Sequence, residues 1–227
     1  MPLQNRVDPF GDIHAVEWRG MFTGNRGVIH DPDTKTLLER RWSTKAWIIC
    51  QCEFKGRKRE PMGRNRPGGP NGAGLPGWTE LFFLDEVTAL AAGHRPCFYC
   101  RRKAAREFVR CYGEAFGVAD PKVTEIDERL HRERYASGLS AGGTLGIAVG
   151  SEALDALPDG AMVFQGERCF AKHGKAQRAW TFWGYADEFD YYDLAMSDIW
   201  LVTPPTTVAI LRAGYRPVWH ASIQRRP

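Results

Sequence analysis

Two pairs of closely spaced cysteines are the residues of this 227-residue chain that most directly indicate chemistry. Cys50 and Cys52 end the apolar run KAWIICQC, and Cys97 and Cys100 follow a GHRP turn. Two thiol pairs from separate segments form the ligand set of a closed tetrahedral zinc site. We therefore predict that these four cysteines hold one Zn²⁺, although four thiolates also suit iron.

Unrelated buried thiols are the alternative interpretation, because free cysteine is common in protein cores. That alternative requires four independent cysteines to fall into two close pairs, so zinc is favoured. The other cysteines are expected to be structural. Cys111 lies about three helical turns beyond Cys100 and is too far along to share its ion. Cys169 lies on a predicted strand.

Residues 46–52 are predicted to form a strand that carries the first cysteine pair. In a regular strand Cys50 and Cys52 point to the same face, because successive side chains alternate between the two faces. Both thiols can then reach one ion if the strand bends or ends at this point.

A strand and two helices are predicted around the second pair. Residues 81–84 form a buried type of strand, and residues 86–92 form a short helix that Asp85 caps. Residues 101–112 form a basic helix with Cys100 at its start. The positive end of the helix dipole favours the thiolate form of that cysteine.

The stretch LFFLDEVTALAAGHRPCFYC, residues 81–100, resembles the metal-binding domain of the bacterial adaptive-response (Ada) DNA-repair methyltransferases. The shared features are an aromatic strand, a short acidic and alanine-rich helix, a glycine, and Arg-Pro-Cys followed by two residues and a final cysteine. The similarity is close over residues 81–100 and extends over residues 45–111.

This resemblance implies a zinc domain that contacts DNA. In that family one thiolate of the first cysteine pair accepts a methyl group from a phosphotriester. The present chain departs from the family pattern at that pair, because one residue separates Cys50 from Cys52 where the family has three. The insert between the two pairs is also longer here.

Basic residues cluster in two places beside the cysteines. Residues 55–77, KGRKREPMGRNRPGGPNGAGLPG, are predicted to bury too little apolar surface to order themselves. They form either a solvated linker or a flexible arm that meets phosphates. The basic side chains of the helix over residues 101–112 are likewise either simply solvated or positioned to bind a nucleic-acid backbone. The predicted nucleic-acid-binding residues are Arg57, Lys58, Arg59, Arg64, Arg66, Arg102 and Arg106.

A third helix, from about residue 121 to residue 136, carries a second candidate site. Asp127, His131 and Arg134 share one face of it at the spacing i, i+4, i+7. An aspartate beside a histidine raises the pKa of the imidazole, which is suited to a catalytic acid–base or anion-binding role of the three residues. An ordinary ion pair on a wet helix is the alternative, and it is the favoured interpretation.

Composition limits the class of protein only broadly. The sequence is 43% hydrophobic and carries a formal charge of +4, which is too mild to indicate a nucleic-acid partner by itself. We find no apolar run of about 18 residues, so no membrane partner is expected. The first residues contain no apolar signal core, which favours a cytoplasmic protein.

Short strands separated by turns predict an antiparallel meander in the last third of the chain, over residues 161–165, 168–171, 177–183 and 198–202. Residues 20–27 contain several glycines and are predicted to form a loop.

The expected fold is therefore α+β, with a four-cysteine, zinc-centred module, a basic loop and a β-rich antiparallel C-terminal portion. The expected segments are an N-terminal segment (1–42), the zinc module (43–112), and a helix with a β-rich C-terminal domain (113–227).

Three functions follow from these patterns. The favoured one is a zinc protein that binds or acts on DNA, with DNA repair or modification as the process that the resemblance implies. The second is an enzyme that uses Asp127, His131 and Arg134, in which zinc is purely structural. The third is a structural protein that binds a partner and performs no chemistry.

Overall fold

The computed structural model of the chain describes residues 1–136, 147–166, 168–188 and 199–224. Over these residues the chain has the predicted α+β fold, with two six-stranded sheets and a two-stranded ribbon. Among the described helices none is long and apolar enough to cross a membrane.

The secondary-structure elements are named here in chain order. The strands are β1 (Arg6–Val7), β2 (Ile13–His14), β3 (Phe22–Asn25), β4 (His30–Asp31), β5 (Thr36–Leu37), β6 (Ile48–Gln51), β7 (Leu81–Phe83), β8 (Arg95–Pro96), β9 (Ile147–Ala148), β10 (Met162–Gln165), β11 (Arg168–His173), β12 (Ala176–Thr181), β13 (Gly184–Glu188) and β14 (Trp200–Leu201). The α-helices are α1 (Glu86–Ala91), α2 (Arg102–Phe116), α3 (Val123–Ala136), α4 (Ser151–Asp155) and α5 (Pro205–Arg212), and short 3₁₀ turns lie at Pro70–Gly72 and Ala221–Gln224.

The first sheet has the strand order β2-β1-β7-β3-β6-β8, so it joins strands from residues 1–42 to strands from residues 43–112. Pairs β1–β7 and β6–β8 are parallel, and the other pairs are antiparallel. The loop predicted over residues 20–27 is wrong, because β3 lies between β6 and β7. Glycine is required at Gly24, since a Cβ there would lie 2.3 Å from the carbonyl oxygen of Ile48.

One hydrophobic core forms between this sheet and the helices. It includes Phe83 from β7, Leu90 from α1, Phe108 from α2, Ile126 from α3 and Ile210 from α5. Because α5 belongs to the last quarter of the chain, residues on both sides of the predicted boundary at residue 112 share this core. The core also contains Cys111, and a second core contains Cys169, so both cysteines are structural as predicted.

Helix α1 matches its prediction and is capped as expected. The Asp85 carboxylate accepts hydrogen bonds from the Thr88 amide at 2.9 Å and from its hydroxyl at 2.8 Å. Asp85 and the neighbouring Glu86 are fully buried. Their remaining side-chain hydrogen bonds come from the C-terminal part of the chain and from the residue that precedes α2, with donors on Tyr185, His220, Tyr215, Val218 and Arg101. These two carboxylates therefore tie the end of the chain to α1.

The second sheet has the order β13-β12-β11-β10-β14-β9, and each of its strand pairs is antiparallel. The predicted meander is therefore confirmed for β10, β11 and β12. The last predicted strand does not extend it, because β14 pairs with β10 on the opposite side, and Asp198, at the start of that prediction, lies outside the described residues. Strand β13 escaped prediction because its turn, Phe182 and Trp183, contains no Asn-Gly or Asp-Gly signal.

The basic loop, residues 55–77, is folded onto the first sheet, so the prediction that it cannot order itself is wrong. Its Met62 side chain is completely buried. The buried Glu80 carboxylate accepts a hydrogen bond from the Met62 amide at 2.9 Å and one from Arg59 Nε at 2.7 Å. Farther along, Arg66 and Leu75 exchange backbone hydrogen bonds. The Glu80 carboxylate and the buried Met62 side chain thus order the loop, although it buries little apolar surface.

Candidate metal centre

Three cysteines form the candidate metal centre. The Sγ atoms of Cys50, Cys97 and Cys100 lie within 4.8 Å of one another. Cys50 and Cys97 are buried, and Cys100 is half-buried. The structure therefore brings together three of the four cysteines that the sequence predicts as ligands.

The parallel pairing of β6 with β8 explains why two of these thiols meet. In this register Ile49 is opposite Pro96, and the amide of Cys97 donates to the carbonyl oxygen of Ile49 at 2.9 Å. Cys50 follows Ile49 and Cys97 follows Pro96, so the two cysteines lie side by side. The tight turn that follows places Cys100 beside them, immediately before α2.

Cys52 is placed apart from the other three thiols. Strand β6 ends at Gln51 and Cys52 follows in a bend, so the alternation that would put Cys50 and Cys52 on one face no longer applies. The Cys52 thiol donates instead to the carbonyl oxygen of Met21 at 3.4 Å. Burial raises the pKa of this thiol, and nearby Arg19 opposes that effect.

Backbone amides stabilise negative charge on the clustered sulfurs. The amide of Tyr99 donates to Cys97 Sγ at 3.3 Å, and the amide of Gln51 donates to Cys100 Sγ at 3.4 Å. Hydrogen bonds from the Cys100 and Cys50 thiols lower the pKa of Cys97 to about 2. Hydrogen bonding to Cys100 and Cys97 raises the pKa of Cys50 in turn. The cluster therefore concentrates negative charge on one sulfur, and the other thiols would release their protons to solvent when a metal cation binds.

The donor set fits a thiophilic metal ion. Tetrahedral zinc with Zn–S bonds of about 2.3 Å places its sulfurs about 3.8 Å apart, so small side-chain movements bring these three thiols into range. Softness of the ligands favours zinc, copper(I) or an iron–sulfur cluster over magnesium or calcium. Three protein ligands leave one position of a tetrahedral ion for another group.

A cavity of about 650 Å³ adjoins the three thiols, and Cys50, Cys97 and Cys100 form part of its wall. Cys52 lines the same cavity. A group bound in this cavity would therefore lie next to the candidate metal ligands.

Three of the predicted nucleic-acid-binding residues, Arg57, Lys58 and Arg59, line this cavity. Arg59 is neutralised by its ion pair with Glu80. Arg57 and Lys58 are exposed, and no carboxylate lies within 4.0 Å of either in the part of the chain that the structure describes. These two side chains therefore give the mouth of the cavity a positive charge.

The other predicted cations lie elsewhere. Arg64 donates two hydrogen bonds of 2.8 Å to the exposed Asp33 carboxylate, and Arg66 is exposed farther along the loop. Arg102 and Arg106 lie together on the exposed face of α2. Arg110, on the same face, forms ion pairs with Glu107 and Glu114.

The predicted catalytic residues on α3 each have a separate partner. Both carboxylate oxygens of Asp127 accept from Arg95, at 2.6 and 2.7 Å, in a buried ion pair. His131 packs edge-on against Trp42 with ring centroids 4.5 Å apart. The expected rise in the pKa of His131 is wrong. Burial lowers that pKa, and Arg134 and Lys45 lower it further.

Arg134 contributes to packing rather than to an ion pair with Asp127. Its guanidinium lies 4.0 Å from the ring centroid of Trp47 and donates to the carbonyl oxygen of Lys45 at 2.9 Å. Burial lowers the pKa of Arg134 to about 9, and Arg26 adds to that effect.

Several residues of the cavity were not singled out from the sequence. Arg19 comes from the N-terminal segment, and Asn25 comes from the strand β3, where a loop was predicted. Tyr99 lies between the second pair of cysteines, and Trp78 closes the basic loop. An aromatic residue inside a Cys-x-x-Cys motif was an available signal for Tyr99, whereas Arg19 and Asn25 reach the cavity only through non-local strand pairing.

The fold and the site define an α+β protein whose three-cysteine cluster, at the edge of a cavity, is able to hold a metal ion. Comparison with protein-family models, with curated proteins and with solved structures finds no match to this chain.

Proposed function

We propose that the protein binds one zinc ion through Cys50, Cys97 and Cys100 and uses this centre in binding nucleic acid, most directly DNA. The clustering of three thiols within 4.8 Å on the wall of a cavity is the observation that carries the proposal. When bound, zinc would hold the three sulfurs in the thiolate form. We favour zinc over iron because the resemblance of residues 81–100 is to a zinc domain.

Two features support DNA as the partner. Arg57 and Lys58 stand at the cavity mouth, and Arg102 and Arg106 line an exposed face of α2, the helix that begins directly after Cys100 and Arg101. Arginine and lysine in such positions bind phosphate oxygens without reading sequence. The resemblance to the adaptive-response zinc domain points to the same partner.

A second candidate function is alkyl transfer in DNA repair, and the position of the three sulfurs on the cavity wall favours it. In that reaction a thiolate of the cluster attacks the methyl group of a phosphotriester. A sulfur–carbon bond forms, the oxygen–carbon bond breaks, and its electron pair stays on oxygen to give a phosphodiester anion. A gain of roughly 14 Da in intact mass after exposure to methylated DNA tests this reaction, and an unchanged mass would contradict it.

The test of DNA binding is a salt titration with the zinc-loaded protein. Affinity for a short duplex is expected to fall steeply with salt, because phosphate contacts release counterions. The double variant Arg57→Gln/Lys58→Gln should reduce the slope of log affinity against log salt by about 1.8, at about 0.9 for each lost phosphate contact. The matched control is Lys175→Gln, which removes a charge in the exposed turn between β11 and β12.

Salt-independent binding, or no binding by the zinc-loaded protein, would contradict a DNA-binding function. Equal slopes of log affinity against log salt for the double variant and the control would show that Arg57 and Lys58 do not contact DNA. Circular dichroism and zinc content of each variant establish that folding and metal loading are unchanged.

A further inference from the structure

We propose that the cavity beside the three thiols binds a single unpaired nucleotide, with the base inside and the phosphate at the mouth. The inference rests on the proposed function in that it names the ligand of the same site. The shared chemistry is a flat heteroaromatic base joined to a phosphate, which either a nucleic-acid strand or a free nucleotide supplies.

The size of the cavity suits such a ligand. Its volume of about 650 Å³ lies within the range of about 300–1,000 Å³ that small-molecule sites occupy. A base that is paired and stacked inside a duplex cannot enter a cavity, so the base must be at a strand end, in a single strand or turned out of the helix.

Layers of aromatic rings and guanidinium groups form the flat parts of the cavity wall. Tyr99 lies under the Arg57 guanidinium at 5.1 Å from ring centroid to Cζ. Trp78 lies under Arg59 at 4.2 Å. Aromatic faces and planar guanidinium groups are the surfaces on which unpaired bases stack, largely regardless of sequence. Both layers line the same cavity.

A buried amide in the wall can bind the edge of a base. Asn25 is 6% exposed, and its Oδ1 accepts a hydrogen bond from the amide of Gly27 at 3.1 Å. Its Nδ2 has no acceptor among the described residues, although the side chain lines the cavity. A carbonyl oxygen or ring nitrogen of a base would supply the missing acceptor.

The charge at the mouth suits the phosphate. Arg19, Arg57 and Lys58 line the cavity and are exposed, whereas Glu53 is the exposed carboxylate there. The second carboxylate, Glu80, is neutralised by Arg59. The exposed groups therefore leave a net charge of about +2 for an anion.

The experiment measures binding of dTMP, inorganic phosphate, oligo(dT) and a blunt duplex to the zinc-loaded full chain by calorimetry. Tyr99→Ala removes a stacking surface, Tyr99→Phe keeps the ring, and Phe98→Ala removes the neighbouring exposed aromatic, which does not line the cavity. We expect dTMP to bind more tightly than phosphate. Tyr99→Ala should weaken dTMP binding about tenfold or more, whereas the other two variants stay within about twofold of the wild type.

The several probes separate this inference from the proposed function. Binding of dTMP with Tyr99 dependence, but no affinity for either DNA, upholds the nucleotide site and contradicts a DNA-binding role. Equal affinity for dTMP and phosphate, or equal losses in Tyr99→Ala and Phe98→Ala, overturns the nucleotide site while leaving duplex binding to be judged by the salt titration. Tighter binding of oligo(dT) than of dTMP identifies a strand as the source, and the reverse identifies a free nucleotide.

Discussion

The amide of Cys97 donates a hydrogen bond of 2.9 Å to the carbonyl oxygen of Ile49, and this contact aligns Cys50, inside β6, with Cys97, the residue that follows the parallel strand β8. The residues are far apart in the sequence, so the three-cysteine cluster depends on the first sheet being assembled. A strand pairing, rather than a flexible loop, therefore sets the separation between Cys50 and Cys97.

Loss of the buried ion pair between Arg95 and Asp127 should destabilise the protein. The Asp127→Asn variant leaves the Arg95 guanidinium buried without a charged partner, and we expect the free energy of unfolding to fall by about 3–5 kcal/mol. Urea unfolding measures the change. Glu128→Gln is the matched control on α3, because the exposed pair of Glu128 with Lys45 should contribute nothing measurable.

The same pair of variants addresses the hypothesis of a catalytic site on α3. Arg95 lies in β8, two residues before Cys97, so its ion pair with Asp127 ties α3 to the strand beside the candidate metal centre. Unchanged stability of Asp127→Asn would contradict that structural role. It would favour the hypothesis that Asp127, His131 and Arg134 form a catalytic site.

Acidification should destabilise the fold through His94. Burial lowers the pKa of this histidine well below its usual value, and Arg26 and Arg134 lower it further. The unfolded chain then binds a proton that the folded chain excludes, so the contribution is complete above about pH 6.5 and is lost as the pH falls below that value. We expect His94→Gln to lose less stability than the wild type as the pH falls from about 6.5 to about 5, by a difference that grows to about 1.4 kcal/mol per pH unit at the lower end.

His14 provides the comparison of opposite sign. A hydrogen bond with Asp8 raises the pKa of His14 more than burial lowers it. Its stabilising contribution is therefore present at low pH and is lost as the pH rises through the folded-state pKa. His14→Gln should consequently lose more stability than the wild type on acidification. Parallel pH profiles for the wild type, His94→Gln and His14→Gln would contradict both assignments.

The basic loop should resist trypsin as long as Glu80 holds it. The Glu80 carboxylate binds both Arg59 and the Met62 amide, so Glu80→Gln should raise the rate of cleavage after Arg59 about tenfold, as expected for a loss of about 1.4 kcal/mol. Mass spectrometry of the fragments measures the rate. The control is Asp33→Asn, because its exposed contact with Arg64 should change the rate by less than about twofold. Equal rates in the two variants would show that Glu80 does not anchor the loop.

Local signals in the sequence predicted the elements nearest to the second cysteine pair. The capping role of Asp85, the extent of α1 and the start of α2 follow from residues within a few positions of one another, and the structure confirms them. The antiparallel meander was predictable for the same reason, because turns separate its strands.

Features that depend on distant residues were not predictable. Strand β3 contains Gly24, which weakens a strand in isolation, and it is stabilised here by neighbours on both sides. The end of β6 at Gln51 decides that Cys52 leaves the cluster, and strand ends are the least certain part of any sequence-based assignment. Arg19 likewise reaches the cavity because the following strand, β3, pairs with β6 and β7, and no local sequence pattern specifies that pairing.

Metal content of single cysteine variants tests the central claim most directly. We predict about one zinc ion per chain in the purified wild type and in Cys52→Ser, with loss of the metal in Cys97→Ser and Cys100→Ser. Elemental analysis of the purified proteins gives the result, and Cys52→Ser is the matched control because it lies only two residues from Cys50. A folded wild type without metal, or loss of zinc from Cys52→Ser as complete as from Cys97→Ser, would contradict a three-cysteine metal centre.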